Sequence, residues 1–361
     1  MPYTFAIASD LHIALPHTVW DSPHRFHLVE FSIPALEVVL ARLATLPLDF
    51  LLLPGDLTQH GEAENHRWLA ARLAQLPYPV YVIPGNHDVP TPETLKTFAG
   101  FYRDFGYPAG DRLHYCQPLS PDLALIGLNS NQFVDKNGDL QQIGWVDAEQ
   151  LAWLAQTLAQ LRREGVLPLV TVHHNVVEHL PGQSTNPIGR RYMLGNAEAL
   201  CQVLHEGGVK LVFTGHLHVQ DIAYSDRHDL YDITTGSLVS YPHPYRLLTL
   251  DRTGDGFTLA IRSERVTAVP TCPDLLDYSR TWMGDRAHGF LLRLLTQAPL
   301  CLPHPVAEEL VPHLRYFWAD IAAGDAQFSF PQFPPAARAY FENFSDRPPA
   351  DNDAVLTYSC K

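Results

Sequence analysis

Short runs of apolar residues alternate with longer amphipathic stretches through roughly the first 215 residues of the chain. The short runs end in glycine, proline or polar residues, as buried β-strands do. They cover residues 3–8, 50–53, 80–83, 123–128, 169–172 and 211–213. The stretches between them have helical length and cover residues 28–44, 62–76, 92–104, 147–164 and 196–206. A strand followed by a helix, repeated along the chain, predicts an α/β fold.

The pattern changes after about residue 215. Short strands separated by turns follow, at 221–224, 230–234, 246–251 and 257–262, and they predict a second, more antiparallel sheet. The prolines at 270 and 273 mark a boundary, and beyond it the segments 290–295, 306–321 and 335–344 have helical patterns. We therefore expect a catalytic domain over residues 1–265 and a helical C-terminal appendage over 273–361. The appendage could serve as a lid, a dimer arm or an extension of the core.

Composition narrows the class of protein. The chain has 361 residues, 46% of them hydrophobic and 18% charged, which is ordinary for a soluble globular protein. Its formal charge of -14 argues against a nucleic-acid polymer as partner, because such binding needs clustered cations. The N-terminus lacks the pattern of a signal peptide, and no apolar run approaches the roughly 20 residues of a membrane span. We expect a cytoplasmic protein.

The cysteines support the same compartment. They are odd in number, widely spaced and without a CxxC motif, which predicts reduced thiols. They are Cys116, Cys201, Cys272, Cys301 and Cys360.

Clusters of polar residues follow the predicted strands. Because open α/β sheets place their ligand sites at the carboxyl ends of strands, these clusters are expected to converge on one edge. In chain order they are Asp10-Leu11-His12, Gly55-Asp56, Gly85-Asn86-His87-Asp88, His173-His174 and Gly215-His216-Leu217-His218. Carboxylate, amide and imidazole groups together are ligands for divalent transition metals, and the absence of thiolate argues against a structural zinc finger.

The spacing within the clusters fits this chemistry. In DxH and in HxH, one residue separates two potential ligands. Both of these side chains point to the same side when the segment is extended. The glycine before Asp56, Asn86 and His216 permits a tight turn that brings a side chain forward, and it lets a phosphate group approach closely.

The ordered set DxH, GD, GNHD, H and GHxH resembles the five-block signature of calcineurin-like metallophosphoesterases. The surrounding text, "SDLHI", "PGDLTQHGE", "VYVIPGNHD" and "VFTGHLH", is most similar to the class III cyclic nucleotide phosphodiesterases and related glycerophosphodiesterases. The resemblance covers about residues 3–262. Five blocks in order, each after a strand, are a far more specific signal than any one of them.

The resemblance implies a fold and a binuclear metal site. The implied fold is a four-layer sandwich of two mixed β-sheets flanked by helices. Two divalent transition-metal ions (Mn, Fe or Zn) would generate a bridging hydroxide for attack on phosphorus. One ion would be held by Asp10, His12 and His218, the other by Asn86, His173 and His216, with Asp56 bridging both. The stretch His173-His174-Asn175 stands where the family has His-His-Pro, so either histidine could be the ligand; we favour His173, which comes first after the strand.

The resemblance also implies the roles of neighbouring residues. His87 would bind phosphate oxygen or protonate the leaving alkoxide, with Asn86 and His174 also near the substrate. Asp88 is expected to orient the loop or His87 rather than to bind metal. Other histidines, at positions 17, 24, 27, 60 and 66, have no spacing that fixes their geometry and are left out of the predicted site.

On this evidence we expect hydrolysis of phosphodiesters, with cyclic nucleotides as one candidate substrate class. None of the five blocks contains Arg or Lys, which suits a monoanionic ester better than a dianionic one. The sequence Gly55-Asp56-Leu57-Thr58-Gln59-His60-Gly61 lacks the second aspartate of the protein-phosphatase motif GDxxDRG and argues against that branch. The alternatives are a phosphomonoesterase or pyrophosphatase acting on a nucleotide-like or lipid-sugar substrate, and a metal-free protein-binding scaffold. A homodimer is a further expectation.

Overall fold

The computed structural model describes residues 2–20, 22, 25–107, 112–133, 143–253, 256–347 and 350–359. His24 and Cys360 lie outside the described residues. The strands are β1 (Tyr3–Ile7), β2 (Phe50–Leu53), β3 (Val80–Val82), β4 (Tyr115–Ser120), β5 (Leu123–Gly127), β6 (Leu167–Thr171), β7 (Leu211–Thr214), β8 (Asp221–Ser225), β9 (Leu230–Thr234), β10 (Pro244–Thr253), β11 (Gly256–Arg265) and β12 (Ala354–Ser359).

The helices lie between and after these strands. They are α1 (Ser32–Leu43), α2 (Ala63–Leu73), α3 (Pro92–Phe101), α4 (Ala148–Glu164), α5 (Pro187–Arg190), α6 (Ala197–Glu206), α7 (Leu275–Arg286), α8 (His288–Thr296), α9 (His304–Leu310), α10 (Phe317–Ala323) and α11 (Pro335–Glu342). Short 3₁₀ helices cover Val29–Phe31, Arg103–Phe105 and Val311–Leu314. Within the described ranges, no helix is both long and apolar enough to cross a bilayer.

The strands form two mixed, six-stranded sheets, which confirms the predicted fold class. The first sheet has the order β12-β11-β10-β1-β2-β3, and the second has the order β4-β5-β6-β7-β9-β8. In the first, β1, β2 and β3 are parallel to one another. In the second, β5, β6, β7 and β9 are parallel.

Alternation along the strands explains how the layers pack. On β6, Leu169 faces the core between the two sheets, while its neighbour Val170 faces the helices α4 and α6. The rings of Phe5 on β1 and Phe213 on β7 meet between the sheets, with centroids 5.7 Å apart. Because consecutive strand residues point to opposite faces, a strand that is apolar on both faces joins two layers.

The strands after residue 215 do not form a separate sheet, so that prediction was wrong. β8 and β9 join the second sheet beside β7, whereas β10 and β11 join the first sheet beside β1. Thr4 of β1 pairs with Thr249 of β10 in antiparallel register. The alternating pattern defined which residues form strands, but the choice of partner depends on contacts across more than 200 residues of chain.

The C-terminal segment is not wholly helical. It contains helices α7 to α11, but it ends in β12, which pairs antiparallel with β11 and extends the first sheet. The predicted helix over 306–321 is also interrupted, since α9 gives way to a 3₁₀ turn containing Pro312 before α10 begins. Helices α8 to α11 bury their apolar faces in a third core, which also takes in Leu217 and Val219. These contacts favour the core-extension interpretation, while the division into domains stays a prediction.

Candidate metal centre and active-site cavity

The predicted ligands lie at the carboxyl ends of five strands, where the two sheets meet. Asp10 and His12 follow β1, Asp56 follows β2, Asn86 follows β3, His173 follows β6, and His216 and His218 follow β7. The two sheets therefore contribute three and two of these strands respectively. Side chains that are far apart in sequence meet because parallel strands end at a common edge.

Local backbone geometry turns these side chains inward. Several of them adopt positive φ, an uncommon conformation for a residue with a Cβ. They are Asp10 (52°), His12 (43°), Asp56 (49°), His216 (66°) and His218 (60°). Such conformations are unfavourable by roughly 1–3 kcal/mol each and cluster at functional sites. Most of the predicted ligand set thus occupies left-handed backbone.

Two glycines allow the loops to approach one another. A Cβ on Gly85 would lie 2.2 Å from the backbone nitrogen of Asp56, and one on Gly215 would lie 2.6 Å from Oδ2 of Asp10. Both distances are far below van der Waals contact. The glycines of the GNHD and GHLH blocks are therefore needed so that carboxylates from neighbouring loops can come close.

One group of ligand atoms combines Asp10, His12, Asp56 and His218, all within 4.8 Å of one another. Nε2 of His218 lies 3.0 Å from Oδ1 of Asp10 and 3.5 Å from Nε2 of His12. The backbone N–H of His216 donates to the Asp10 carboxylate, at 3.1 Å from Oδ2. Asp10 thereby fixes the loop that presents both histidines of GHLH.

A second group combines Asp56, His173 and His216. Nδ1 of His173 donates to the carbonyl oxygen of Pro54 over 2.8 Å, which leaves Nε2 to face Oδ2 of Asp56 at 3.3 Å. A second contact that fixes the tautomer in this way is common for metal-binding histidines. Asp56 belongs to both groups, as expected of a bridging ligand.

His174 lies beside this second group but outside it. Its Nδ1 is 2.7 Å from Oγ of Ser130, and its ring centroid is 4.4 Å from that of His216. It also lines the cavity described below. This geometry favours His173 over His174 as the ligand and leaves His174 at the substrate side.

The residues present fit two divalent cations. Within the described part of the chain, Oδ1 of Asn86 and Nε2 of His173 are buried without a hydrogen-bond partner. A buried polar atom without a partner is unfavourable unless something else satisfies it. Asn86 supplies a neutral oxygen beside two carboxylates and four imidazoles, which is a suitable donor set for Mn, Fe or Zn. The identity of the ions stays a prediction.

The electrostatics favour the metal-binding states of Asp56 and His12. Burial raises the pKa of Asp56, but the nearby His173 and His87 outweigh it and hold the pKa of this carboxyl well below its usual range. Burial and the neighbouring His27 and His87 lower the pKa of His12 well below its usual value. A deprotonated carboxylate and a neutral imidazole are the ligand forms. His173 differs: burial lowers its pKa, but the Asp56 carboxylate outweighs this and raises it to about 9, so a bound cation would have to displace that proton.

The GNHD loop is held by Asp88. Its carboxylate accepts hydrogen bonds from the backbone N–H groups of Gly85 (2.9 Å), Leu57 (3.0 Å) and Thr58 (2.8 Å). Burial and the Asp56 charge raise the pKa of Asp88 to about 7, while these donors act in the opposite direction. Asp88 therefore ties the GD loop to the GNHD loop and has no place in either ligand group.

His87 lies next to both groups without being a member of either. Its backbone N–H donates to Oδ1 of Asp56 over 2.8 Å, and its Nδ1 lies 2.7 Å from the carbonyl oxygen of Gln59. Its ring is 4.7 Å from that of His12, edge to face. With Nδ1 bound to a carbonyl, Nε2 is the atom available to a substrate.

His27 is a site residue that sequence reasoning missed. Its ring centroid lies 4.5 Å from that of His12 and 4.6 Å from that of His218, and the three histidines form a third group of neighbouring ligand atoms. Burial, with His218 and His87 nearby, lowers its pKa well below the usual value. The sequence signal was only a local abundance of histidine, since His27 belongs to no spaced motif.

A cavity of about 480 Å³ opens over the metal centre. Asp56, Asn86, His87, His174 and His216 line its base, as do His218 and His27. Its walls carry aromatic and cationic side chains, among them Trp20, Arg25, Arg191, Tyr192 and Trp318. Cationic side chains from outside the five blocks therefore line the cavity. This weakens the argument that the absence of Arg and Lys from the blocks favours a monoanionic substrate.

The comparisons with known proteins agree with this geometry. Residues 3–220 match the family described as calcineurin-like phosphoesterase. The chain is 28% identical over 184 residues to a protein of Vesicomyosocius okutanii named "Probable cyclic nucleotide phosphodiesterase", covering 51% of this chain and 68% of that protein. It is 29% identical over 177 residues to one of Arcobacter nitrofigilis named "Probable glycerophosphodiester phosphodiesterase GpdQ", covering 47% of this chain and 56% of that protein.

A solved structure supports the fold. A dimetal phosphatase from Danio rerio superposes with a TM-score of 0.55 at 15% identity, covering 73% of this chain and 96% of the other. The family match spans well over half of the chain and contains all seven predicted ligands. The chain belongs to the calcineurin-like phosphoesterase family and is a metallophosphoesterase.

Proposed function

We propose that the protein hydrolyses phosphodiesters with two divalent transition-metal ions bound at this site. The observation that carries the proposal is the position of Asp56, whose carboxylate belongs to both ligand groups at the base of the cavity. A carboxylate shared by two groups can hold two cations a few ångströms apart, at roughly 4 Å in two-metal enzymes. When bound, the ions would neutralise the phosphate and lower the pKa of a water molecule that attacks phosphorus.

The chain's own residues orient the ester and handle the proton. His174 and Asn86 line the cavity beside the ligand groups, where a phosphate oxygen would lie. As the imidazolium, His87 would carry one proton at Nδ1, donated to the carbonyl of Gln59, and a second proton at Nε2, the atom left for the substrate. Transfer of that proton to the leaving oxygen releases an alcohol, and the neutral ring keeps its bond to Gln59. His87 is therefore the proposed general acid.

The diester interpretation rests on the relatives more than on charge. Both relatives described above carry phosphodiesterase names, and the alignments span about half of this chain. Arg191 and Arg25 line the cavity, so a dianionic monoester would also find cations there. A phosphomonoesterase or pyrophosphatase is accordingly the second candidate, and cyclic nucleotides are one diester class to test.

Purified protein loaded with Mn, Fe or Zn should hydrolyse bis(4-nitrophenyl) phosphate with a higher kcat/KM than 4-nitrophenyl phosphate at the same pH. The Asp56→Asn variant, prepared in parallel, controls for contaminating phosphatases. A reproducible preference for the monoester would replace the proposal by the second candidate. Hydrolysis of neither ester, with no bound metal, would favour a protein-binding scaffold instead.

Three further expectations accompany the proposal. A cytoplasmic location and a homodimer both rest on sequence reasoning, and cell fractionation and sedimentation would test them. A nucleic-acid polymer is not proposed as a substrate, because the chain carries a formal charge of -14.

A further inference from the structure

The C-terminal segment lies outside the family match, yet it supplies part of the active-site cavity. Trp318 on α10 and Met283 on α7 line the cavity together with His87, His216 and His218. The family match ends at residue 220, so the residues of this wall lie beyond the matched part of the chain. A wall that is separate from the catalytic residues can act on specificity without taking part in the reaction.

The position of α10 is fixed by burial on both sides of Trp318. Phe317 is buried in the third core, Ala319 is also buried, and the ring of Trp318 makes a T-shaped contact with Phe290 at 5.8 Å. The backbone N–H of Gln220 donates to the carbonyl of Ala322 over 3.2 Å, which ties the end of α10 to the segment that follows the GHLH block. Trp318 is thus held rigidly, partly exposed, at the cavity wall.

Tyr192 continues this wall towards the ligand groups. Its ring centroid lies 5.1 Å from that of His216, and it lines the same two neighbouring cavities as Trp318. The Arg191 guanidinium lies 4.7 Å from the Tyr192 ring and donates to the Tyr192 hydroxyl over 2.6 Å. Arg191 and His216 both contact the Tyr192 ring, and the indole of Trp318 is a second, partly exposed aromatic surface on this wall.

We propose that Trp318 is a specificity-determining residue that binds a planar aromatic substituent on the phosphate ester. This inference rests on the proposed function in that the phosphate group is taken to lie at the metal centre. Aromatic stacking on an indole contributes about 1–3 kcal/mol per ring, which corresponds to a change in affinity of about 5- to 150-fold. A glycerol or methyl substituent has no π surface and gains little from such a wall.

Two non-hydrolysable monoanions test the inference without any reaction. Diphenylphosphinate and dimethylphosphinate share the phosphinate group of a diester mimic but differ in their rings, and calorimetric titration of the metal-loaded protein gives both dissociation constants. Trp318→Ala should weaken binding of diphenylphosphinate by about tenfold and that of dimethylphosphinate by less than about twofold. Trp318→Phe should restore most of the affinity for the aryl compound.

Two control variants and two further measurements complete the experiment. Trp153→Ala removes an indole from α4, on the outer side of the second sheet, and should leave both constants at wild-type values. Trp20→Ala removes the other indole at the cavity. Metal content and thermal unfolding are measured for every variant.

The inference is overturned if Trp318→Ala weakens the binding of both phosphinates equally, or of neither. It is also overturned if the preference for diphenylphosphinate over dimethylphosphinate is lost in Trp20→Ala and kept in Trp318→Ala. The outcome is separable from the proposed function. The wild type could hydrolyse no diester and still show the Trp318-dependent preference for diphenylphosphinate. That result would support the role of Trp318 in binding aromatic groups and would contradict the phosphodiesterase proposal.

Discussion

The backbone N–H of His87 donates to Oδ1 of Asp56 over 2.8 Å. The other oxygen of the same carboxylate faces Nε2 of His173 at 3.3 Å and Nε2 of His12 at 3.8 Å. One side chain thus joins the proposed general acid to both ligand groups. The loops after β2 and β3 must therefore keep a fixed relative position for the reaction to occur.

Asp56→Asn should weaken both metal positions, because the shared carboxylate supplies negative charge to two cations at once. His218→Ala should weaken mainly one position and leave a mononuclear form. Elemental analysis after dialysis would measure the metal content per chain of both variants. Loss of a single ion in Asp56→Asn would contradict the bridging role.

His87→Ala should retain its metals but lose activity in a way that depends on the leaving group. A general acid contributes roughly 10² to 10⁴ in rate, and it matters most when the leaving group is a poor, alkoxide-like one. We expect alkyl esters to lose far more kcat than nitrophenyl esters. His60→Ala, which removes a ring stacked 5.5 Å from His87, is the matched control. Equal losses on both ester classes would show that the role is misassigned.

Leu217→Ala should weaken metal binding as well as stability. Leu217 lies between His216 and His218, but its side chain is buried in the core of the C-terminal helices. Truncating a buried leucine lowers the free energy of unfolding by about 2–5 kcal/mol. Leu204 lies on α6 and is buried in the second core. Leu204→Ala should cause a similar loss of stability and leave the metal affinity unchanged. Equal metal affinities in the two variants would contradict the coupling.

His179 predicts a pH dependence of stability. Although burial lowers its pKa, Asp232 and Asp221 raise it to about 10, and its Nδ1 lies 2.5 Å from Oδ2 of Asp221. A folded-state pKa above the unfolded value of about 6.5 means that the ion pairs stabilise fully below pH 6.5. That stability is lost as the pH rises towards 10, by up to about 1.4 kcal/mol per pH unit.

His179→Gln should therefore be less stable than the wild type at pH 6, and the difference should shrink by pH 10. Urea unfolding at several pH values would measure both free energies of unfolding. A difference that is constant across this range would show that His179 is not charged in the folded protein.

The sequence by itself determined the chemistry of the site and the elements that carry it. Ligand type, spacing and the preceding glycine are local properties, and the strand before each cluster is readable from its apolar run. Asp10, Asp56 and His216 could therefore be assigned to one edge, because parallel strands end together. The burial of strands such as the one that carries Leu169 and Val170 followed from their continuous apolar runs.

The tertiary structure alone decided which strands pair and what surrounds the metal centre. Pairing of β1 with β10 and of β11 with β12 joins segments that lie far apart in the chain, and periodicity defines a strand's faces but not its partner. His27 and Trp318 reach the cavity for the same reason: each is placed by packing against distant residues and not by a motif of its own. Contacts of this kind depend on the summed packing of the whole fold, which no local pattern encodes.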